Sequence, residues 1–251
     1  MVPDSLLVVE DLVTGYGPNA VLKEVSLRVD AGQSIGILGV NGAGKTTLVN
    51  AIAGLNPIWS GSMLFRGKDV TKVGPEARMT MGISLCPESR QIFTSLTVEE
   101  NLILGATPAR RRVPPLSRSQ VRARLEKSYN RFPILAERRN GGGGQLSGGE
   151  QQMLAVARAL MSAPDLLIVD EPSMGLAPVV SSKVYALLRE LKSEGLAMIV
   201  VEESSNRALG LVDHCLILRA GRVVLSAPVE ELPDHSALVE VYLGSTRTER
   251  G

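Results

Sequence analysis

Apolar residues fall in short runs along most of this chain, and glycine, proline or charged residues bound nearly every run. Leu6–Leu12 and Val21–Val29 read as strands, the second alternating at Val25, Leu27 and Val29 and closing at Ala31-Gly32, which predicts an antiparallel edge. Ser34–Leu38 reads as a buried strand, and Leu48, Ala51, Ile52 and Leu55 follow it at helical spacing. Gly61–Phe65 predicts a strand, Pro75–Met81 a short helix and Gly82–Pro87 another strand. From Val98 the pattern turns amphipathic and predicts helices over Val98–Gly105 and Ser117–Phe132, separated by Val113-Pro114-Pro115. A glycine-rich loop, Asn140–Gly144, then leads to Met153, Val156, Ala157 and Leu160 on one helical face, with Ser147 as N-cap and Glu150 completing a capping box. Leu166–Asp170 and Leu196–Glu202 predict strands on either side of a helix marked by Val184, Leu187, Leu188 and Leu191. Cys215–Leu218 and Arg222–Leu225 predict a terminal hairpin across Ala220-Gly221.

Chemistry enters where the predicted strand at 34–38 meets its helix. Gly39-Val40-Asn41-Gly42-Ala43-Gly44-Lys45-Thr46-Thr47 satisfies the phosphate-loop pattern GxxxxGK[ST] in the strand–loop–helix context that the pattern requires. Its glycines let successive backbone N–H groups turn inward on β- and γ-phosphates. Lys45 adds a point charge, Thr46 offers a hydroxyl to Mg²⁺, and the new helix aims its positive end at the anion. The strand at 166–170 delivers Asp170 and Glu171 at its C-terminal end, the Walker B pattern, placing Asp170 to hold Mg²⁺ and Glu171 to polarise an attacking water. Ser147, Gly148 and Gly149 open a helix with unpartnered N–H donors, a second anion site.

Composition narrows the field. At 251 residues the chain is near the upper end for one hydrophobic core, so a domain with an insertion is expected. The net charge of +1 argues for no nucleic-acid partner, and three Phe, four Tyr and one Trp offer no stacking platform for single strands. Ten basic residues (Arg110, Arg111, Arg112, Arg118, Arg122, Arg124, Lys127, Arg131, Arg138 and Arg139) face only Glu126 and Glu137 between Gly105 and Arg139. They read as a solvated helix face or as a surface attracted to anionic lipid headgroups. Cys86 and Cys215 sit in apolar runs and suit small core positions in a reducing compartment. No apolar run approaches the roughly 18 residues needed to span a bilayer, and Met1-Val2-Pro3-Asp4 starts no export signal, so a cytoplasmic location is expected.

The phosphate loop, Leu146-Ser147-Gly148-Gly149-Glu150 and Asp170-Glu171, in this order and spacing, resemble the ATP-binding cassette family over almost the whole chain. Within it, Pro87–Phe93, Leu96–Leu102, Gly149–Ala155 and Gly175-Leu176-Ala177-Pro178 are similar to the LivF-type ATPase subunits of branched-chain amino acid importers. The resemblance implies an α/β fold: a P-loop NTPase core of RecA type, an antiparallel β edge subdomain and an inserted α-helical subdomain. It implies one domain over 1–251, with core at about 1–87 and 163–251 and the insert at 88–162. It places Tyr16 against adenine, although a core tyrosine is equally compatible with the residue type, and Glu88 beside Mg²⁺. It further implies ATP as ligand and a head-to-tail dimer, homo- or hetero-, in which Ser147, Gly148, Gly149 and Glu150 cap the γ-phosphate on the partner's P-loop. The implied setting is the inner face of the cell membrane, beneath permease subunits fed by an extracytoplasmic solute-binding protein, with Arg90 and Phe93 as candidate permease contacts.

Three positions depart from that pattern. The family usually has Gln where Glu88 stands, although the LivF-type pattern commonly has Glu, which can still reach Mg²⁺ or its water. The family commonly has a γ-phosphate-contacting His where Glu203 stands, and an ionised Glu cannot donate and repels phosphate. Its aspartate after Walker B is replaced by Ala177. Three functions therefore remain open: an importer ATPase, a soluble ATP-binding cassette protein without a permease, and an ATP-binding partner subunit that hydrolyses poorly at its own loop.

Overall fold

The computed structural model describes residues 5–111, 115–203 and 208–232. Arg112, the Val113-Pro114 link and His235 lie outside them. The chain begins with β1 (Ser5–Tyr16) and β2 (Asn19–Asp30), paired antiparallel, and then enters β3 (Ser34–Leu38), which is buried throughout. β1 runs on to Tyr16 because Gly15 lets the strands close tightly: a Cβ there would lie 1.9 Å from the carbonyl oxygen of Asn19. α1 (Lys45–Ala53) ends at Gly54, whose φ of 82° suits glycine. Leu55, expected on the buried face of that helix, falls beyond the cap and is exposed. β4 (Ser60–Phe65) and β5 (Lys68–Asp69) complete a four-stranded antiparallel sheet in the order β2-β1-β4-β5, so the predicted edge is real and larger than the sequence suggested.

α2 (Pro75–Met81) and β6 (Ile83–Cys86) precede a run of helices: α3 (Val98–Gly105), α4 (Thr107–Arg110), α5 (Arg118–Arg131), α6 (Pro133–Glu137) and α7 (Gly148–Met161). α4 and α6 are too short to show a helical period and were not expected. The last part alternates as β7 (Leu166–Asp170), α8 (Pro178–Ser193) and β8 (Ala197–Glu202), then closes with β9 (His214–Arg219) and β10 (Arg222–Pro228). The second sheet has the order β10-β9-β3-β8-β7-β6; all its neighbours are parallel except the terminal hairpin.

The parallel sheet separates two apolar cores. Ile35, Ile37, Leu166, Ile168, Ile199 and Val201 face α1 and the antiparallel sheet. Leu167, Val169, Met198 and Val200 point the other way, against residues of α7 and α8 such as Leu154, Val156, Val184 and Leu188. This period-2 division of uniformly apolar strands is what burial on both faces produces. Cys86 and Cys215 are both buried as expected, and burial pushes both thiols up to about 12.

Arg78 is the unexpected member of the interior. Its guanidinium, 2% exposed, donates through Nη1 to the carbonyls of Ala51 and Ile52 in the last turn of α1 and through Nη2 to those of Val70 and Thr71. A cation at a helix C-terminus satisfies carbonyls that have no partner within the helix. Burial lowers its pKa to about 10. The basic surplus at 105–139 is met in part by acids elsewhere: Arg131 pairs with Glu190 of α8 and with Glu194 at its C-cap, Lys127 with Glu194, and Arg111 with Glu76.

Candidate nucleotide site

The phosphate loop lies at the C-terminal end of β3, the side of a parallel sheet on which ligands bind. Gly39 is pressed against β9, where a Cβ would come within 2.4 Å of the Leu218 carbonyl oxygen. Gly44, at φ 106°, turns the chain into α1 and occupies a region that other residues avoid. Between them Ala43 N–H donates to the Val40 carbonyl at 3.1 Å, closing the turn, while Asn41 and Gly42 remain exposed. Lys45 is almost wholly buried; its Nζ donates to the carbonyls of Gly39 at 2.8 Å and Val40 at 3.4 Å and stands 3.4 Å from Glu171 Oε1. Thr46 is exposed at the loop mouth and Thr47 is buried beneath it.

Asp170 and Glu171 arrive from β7, the second strand over from β3. Asp170 is buried, and its carboxyl is raised to about 6, chiefly by that burial, with a hydrogen bond from Thr46 opposing and the charges of Glu171 and Glu88 adding to the rise. Its Oδ1 has no hydrogen-bond partner. A buried carboxylate oxygen left open beside a threonine hydroxyl suits a hard divalent cation, which is commonly held by one or two carboxylates plus phosphate oxygens and water. Among the described residues, no group of three His, Cys, Asp or Glu side chains could hold a metal ion alone, so such a cation would be shared with the ligand's phosphates. Glu171 takes φ 47°, an uncommon backbone for a non-glycine residue, and its N–H donates to the Val201 carbonyl at 3.0 Å.

Around this centre the other expected residues are placed unevenly. Tyr16 is 53% exposed, which removes the core reading, and its hydroxyl accepts from Asn56 Nδ2 at 3.0 Å. Hydrogen bonds from Asn56 and then Thr47 lower its phenol pKa. The ring is thus held beside α1 with its surface available. Glu203 is exposed and accepts from Asn41 Nδ2 of the phosphate loop at 3.4 Å, so its carboxylate reaches the loop mouth. The signature segment forms the expected capping box: Ser147 N–H donates to Glu150 Oε2 at 2.7 Å, and Glu150 N–H donates to Ser147 Oγ at 3.4 Å. Gly148 packs beside the Arg90 guanidinium, and a Cβ on Gly149 would lie 2.4 Å from Val180 Cγ1 on α8. Arg90 donates to Gln152 Oε1 on α7 at 3.2 Å, so much of it is engaged inside the molecule, whereas Phe93 is half exposed under the Arg158 guanidinium.

Sequence reasoning missed Glu202. It is 4% exposed at the end of β8 and accepts from Ser173 Oγ at 2.9 Å and from the Tyr185 hydroxyl on α8. The signal was present, because consecutive residues at a strand end face opposite ways: of Glu202 and Glu203 one must turn inward. Two cavities flank the helices α3–α7. An apolar groove of about 520 Å³ runs between them and α1, α2 and β6, with Leu55, Met79, Phe93 and Leu104 in its lining. A polar cleft of about 560 Å³ lies beside α5 instead, lined by Arg131, Lys127 and Glu194, and contains no phosphate-loop residue.

Residues 22–174 match the family model described as ABC transporter. The chain is 36% identical over 239 residues to the high-affinity branched-chain amino acid transport ATP-binding protein BraG of Pseudomonas aeruginosa, covering 95% of this chain and 100% of that protein. It is 31% identical to the probable branched-chain amino acid transport ATP-binding protein LivF of Archaeoglobus fulgidus, over 93% of this chain and 96% of that one. Its structure superposes on an ATP-binding cassette of an ABC transporter in its ADP conformation with a TM-score of 0.79, 27% identity and coverage of 96% and 99%.

Proposed function

The chain belongs to the ABC transporter family of ATP-binding proteins, and from that premise we propose that it is the ATP-hydrolysing subunit of an importer for branched-chain or related amino acids. The observation that carries the site assignment is the meeting of Lys45, Thr46, Asp170 and Glu171 at the C-terminal ends of β3 and β7. In this reading the loop Gly39–Thr47 receives the β- and γ-phosphates and Lys45 turns its ammonium from the loop carbonyls toward them. Thr46 and Asp170, with Glu88 nearby, hold Mg²⁺, which supplies charge neutralisation at the phosphates. Tyr16 packs on adenine. Glu171 orients and deprotonates the attacking water.

The partner surfaces follow from the same reading. Ser147, Gly148, Gly149 and Glu150 of one subunit close over the nucleotide held by another, so hydrolysis requires a dimer. A permease segment with an apolar face occupies the groove lined by Leu55, Met79, Phe93 and Leu104, which places the subunit against the membrane from the inner side. Among the described residues no helix is long and apolar enough to cross a membrane. The chain acts as one domain, with the insert at about 88–162 relaying dimer closure to the permease. Isolation of this chain from membranes with a permease and a solute-binding protein, and ATP hydrolysis stimulated by a branched-chain amino acid, is the expected result. A chain that isolates without any membrane protein overturns the transport assignment.

Glu203 supports a qualification. A carboxylate at the loop mouth, within reach of Asn41, opposes the γ-phosphate and cannot donate to it. Hydrolysis at this subunit's own loop is therefore slow, and Glu203→Gln or Glu203→His raises the turnover of the complex. An unchanged rate in both variants removes Glu203 from that role.

A further inference from the structure

Glu202 is a buried carboxylate that the reading above does not use. It stands one residue before Glu203 at the end of β8, and its two hydroxyl donors come from separate parts of the chain: Ser173 from the loop after β7, Tyr185 from α8. Ser173 is two residues beyond Glu171, inside the same turn, where Met174 N–H donates to the Glu171 carbonyl at 3.1 Å and Leu176 N–H to that of Ser173 at 3.2 Å. The turn is thus tied to β8 twice. The main chain of Glu171 is held by the Val201 carbonyl, and the side chain of Ser173 by the very next residue, Glu202. Glu171 itself sits at φ 47°, a conformation that persists only where its surroundings over-determine it.

We propose that Glu202 is a positioning residue for hydrolysis: through Ser173 it fixes the turn that carries Glu171, and so the aim of the Glu171 carboxylate at the attacking water. The proposal rests on Glu171 acting as the base. Glu202 touches no phosphate-loop residue among its hydrogen-bond partners, so its loss leaves ATP binding intact and acts on the chemical step alone. Tyr185 holds the same oxygen from the α8 side and keeps the carboxylate turned toward Ser173.

The test is steady-state ATP hydrolysis by the full chain, in the complex isolated with it, for Glu202→Ala, Glu202→Gln, Ser173→Ala and the Ser173→Ala/Glu202→Ala double variant. Small misplacement of a reacting group costs up to roughly 100-fold in rate, so Glu202→Ala is expected to lower kcat by about 10- to 100-fold with KM for ATP unchanged. Glu202→Gln, whose side-chain carbonyl oxygen can still accept from both Ser173 Oγ and the Tyr185 hydroxyl, restores most of that loss. Ser173→Ala leaves the buried carboxylate in place and is the milder variant, so it answers even if Glu202→Ala fails to fold. It lowers kcat by at least about fivefold, and the double variant is no slower than Glu202→Ala alone. Wild-type kcat in Ser173→Ala, or KM rising in step with any fall in kcat, overturns the proposal. Glu171→Gln run alongside separates the two ideas: unaltered turnover there refutes the base itself, whereas a collapse there with normal Ser173→Ala refutes only the positioning role.

Discussion

Lys45 directs its ammonium to the carbonyls of Gly39 and Val40 and toward the carboxylate of Glu171, so one side chain links the loop proposed to receive phosphate to the strand end that carries the proposed base. Lys45→Ala is expected to abolish ATP binding in a calorimetric titration, and undiminished affinity would contradict the phosphate-loop assignment. Glu171→Gln is expected to keep ATP while turnover falls by roughly 100-fold or more, the scale of a lost general base. The thiols give a prediction of another kind. With Cys86 and Cys215 buried and both pushed up to about 12, neither reacts with an alkylating reagent at neutral pH until the chain unfolds. Labelling at the native rate of an exposed thiol would show that one of them is accessible. Residue types at this scale were readable where a motif fixes their company, as for Lys45, Thr46 and Asp170. Glu202 escaped because its partners, Ser173 and Tyr185, are 29 and 17 positions away and no spacing rule connects them.

Among elements, α1 is secured at both ends. Gly44 turns the chain into it, and Arg78 of α2 takes the carbonyls of Ala51 and Ile52 at its C-terminus. Arg78→Leu leaves the carbonyls of Ile52 and Thr71 without a donor, each costing about 1–3 kcal/mol, whereas those of Ala51 and Val70 keep the N–H groups of Gly54 and Val73. A loss of at least about 2 kcal/mol is expected in a urea titration; a change below about 1 kcal/mol would mean that water replaces the guanidinium. The strands of the parallel sheet were legible because burial on both faces demands an unbroken apolar run, as in Leu166–Val169 and Ala197–Val201. Helix starts were legible where Ser117 and Ser147 cap them. Leu55 misled because it fits the period of α1 while Gly54 ends the helix one residue earlier, and α4 and α6 are each shorter than two turns.

For the molecule as a whole, the parallel sheet is the partition: one apolar core binds it to the antiparallel edge, the other to the helices that carry the signature segment. Arg131 and Lys127 of α5 reach Glu190 of α8 and Glu194 at its C-cap, joining α5 to α8 by charge as well as by packing. On the proposal that a signature on one subunit completes a loop on another, Glu171→Gln with ATP and Mg²⁺ is expected to sediment as a dimer, alone or with a second ATPase subunit. A species that stays monomeric in both mixtures would contradict the composite site. The helices at 98–105 and 118–131 were readable from the change to amphipathic pattern near Val98, but the ion pairs of α5 were not, since the acids that meet Arg131 lie some sixty positions further along.

The groove of Leu55, Met79, Phe93 and Leu104 shares no lining residue with the loop Gly39–Thr47. Under the proposed docking, substitution at those exposed positions can therefore tune the fit to a permease while the nucleotide chemistry stays constant.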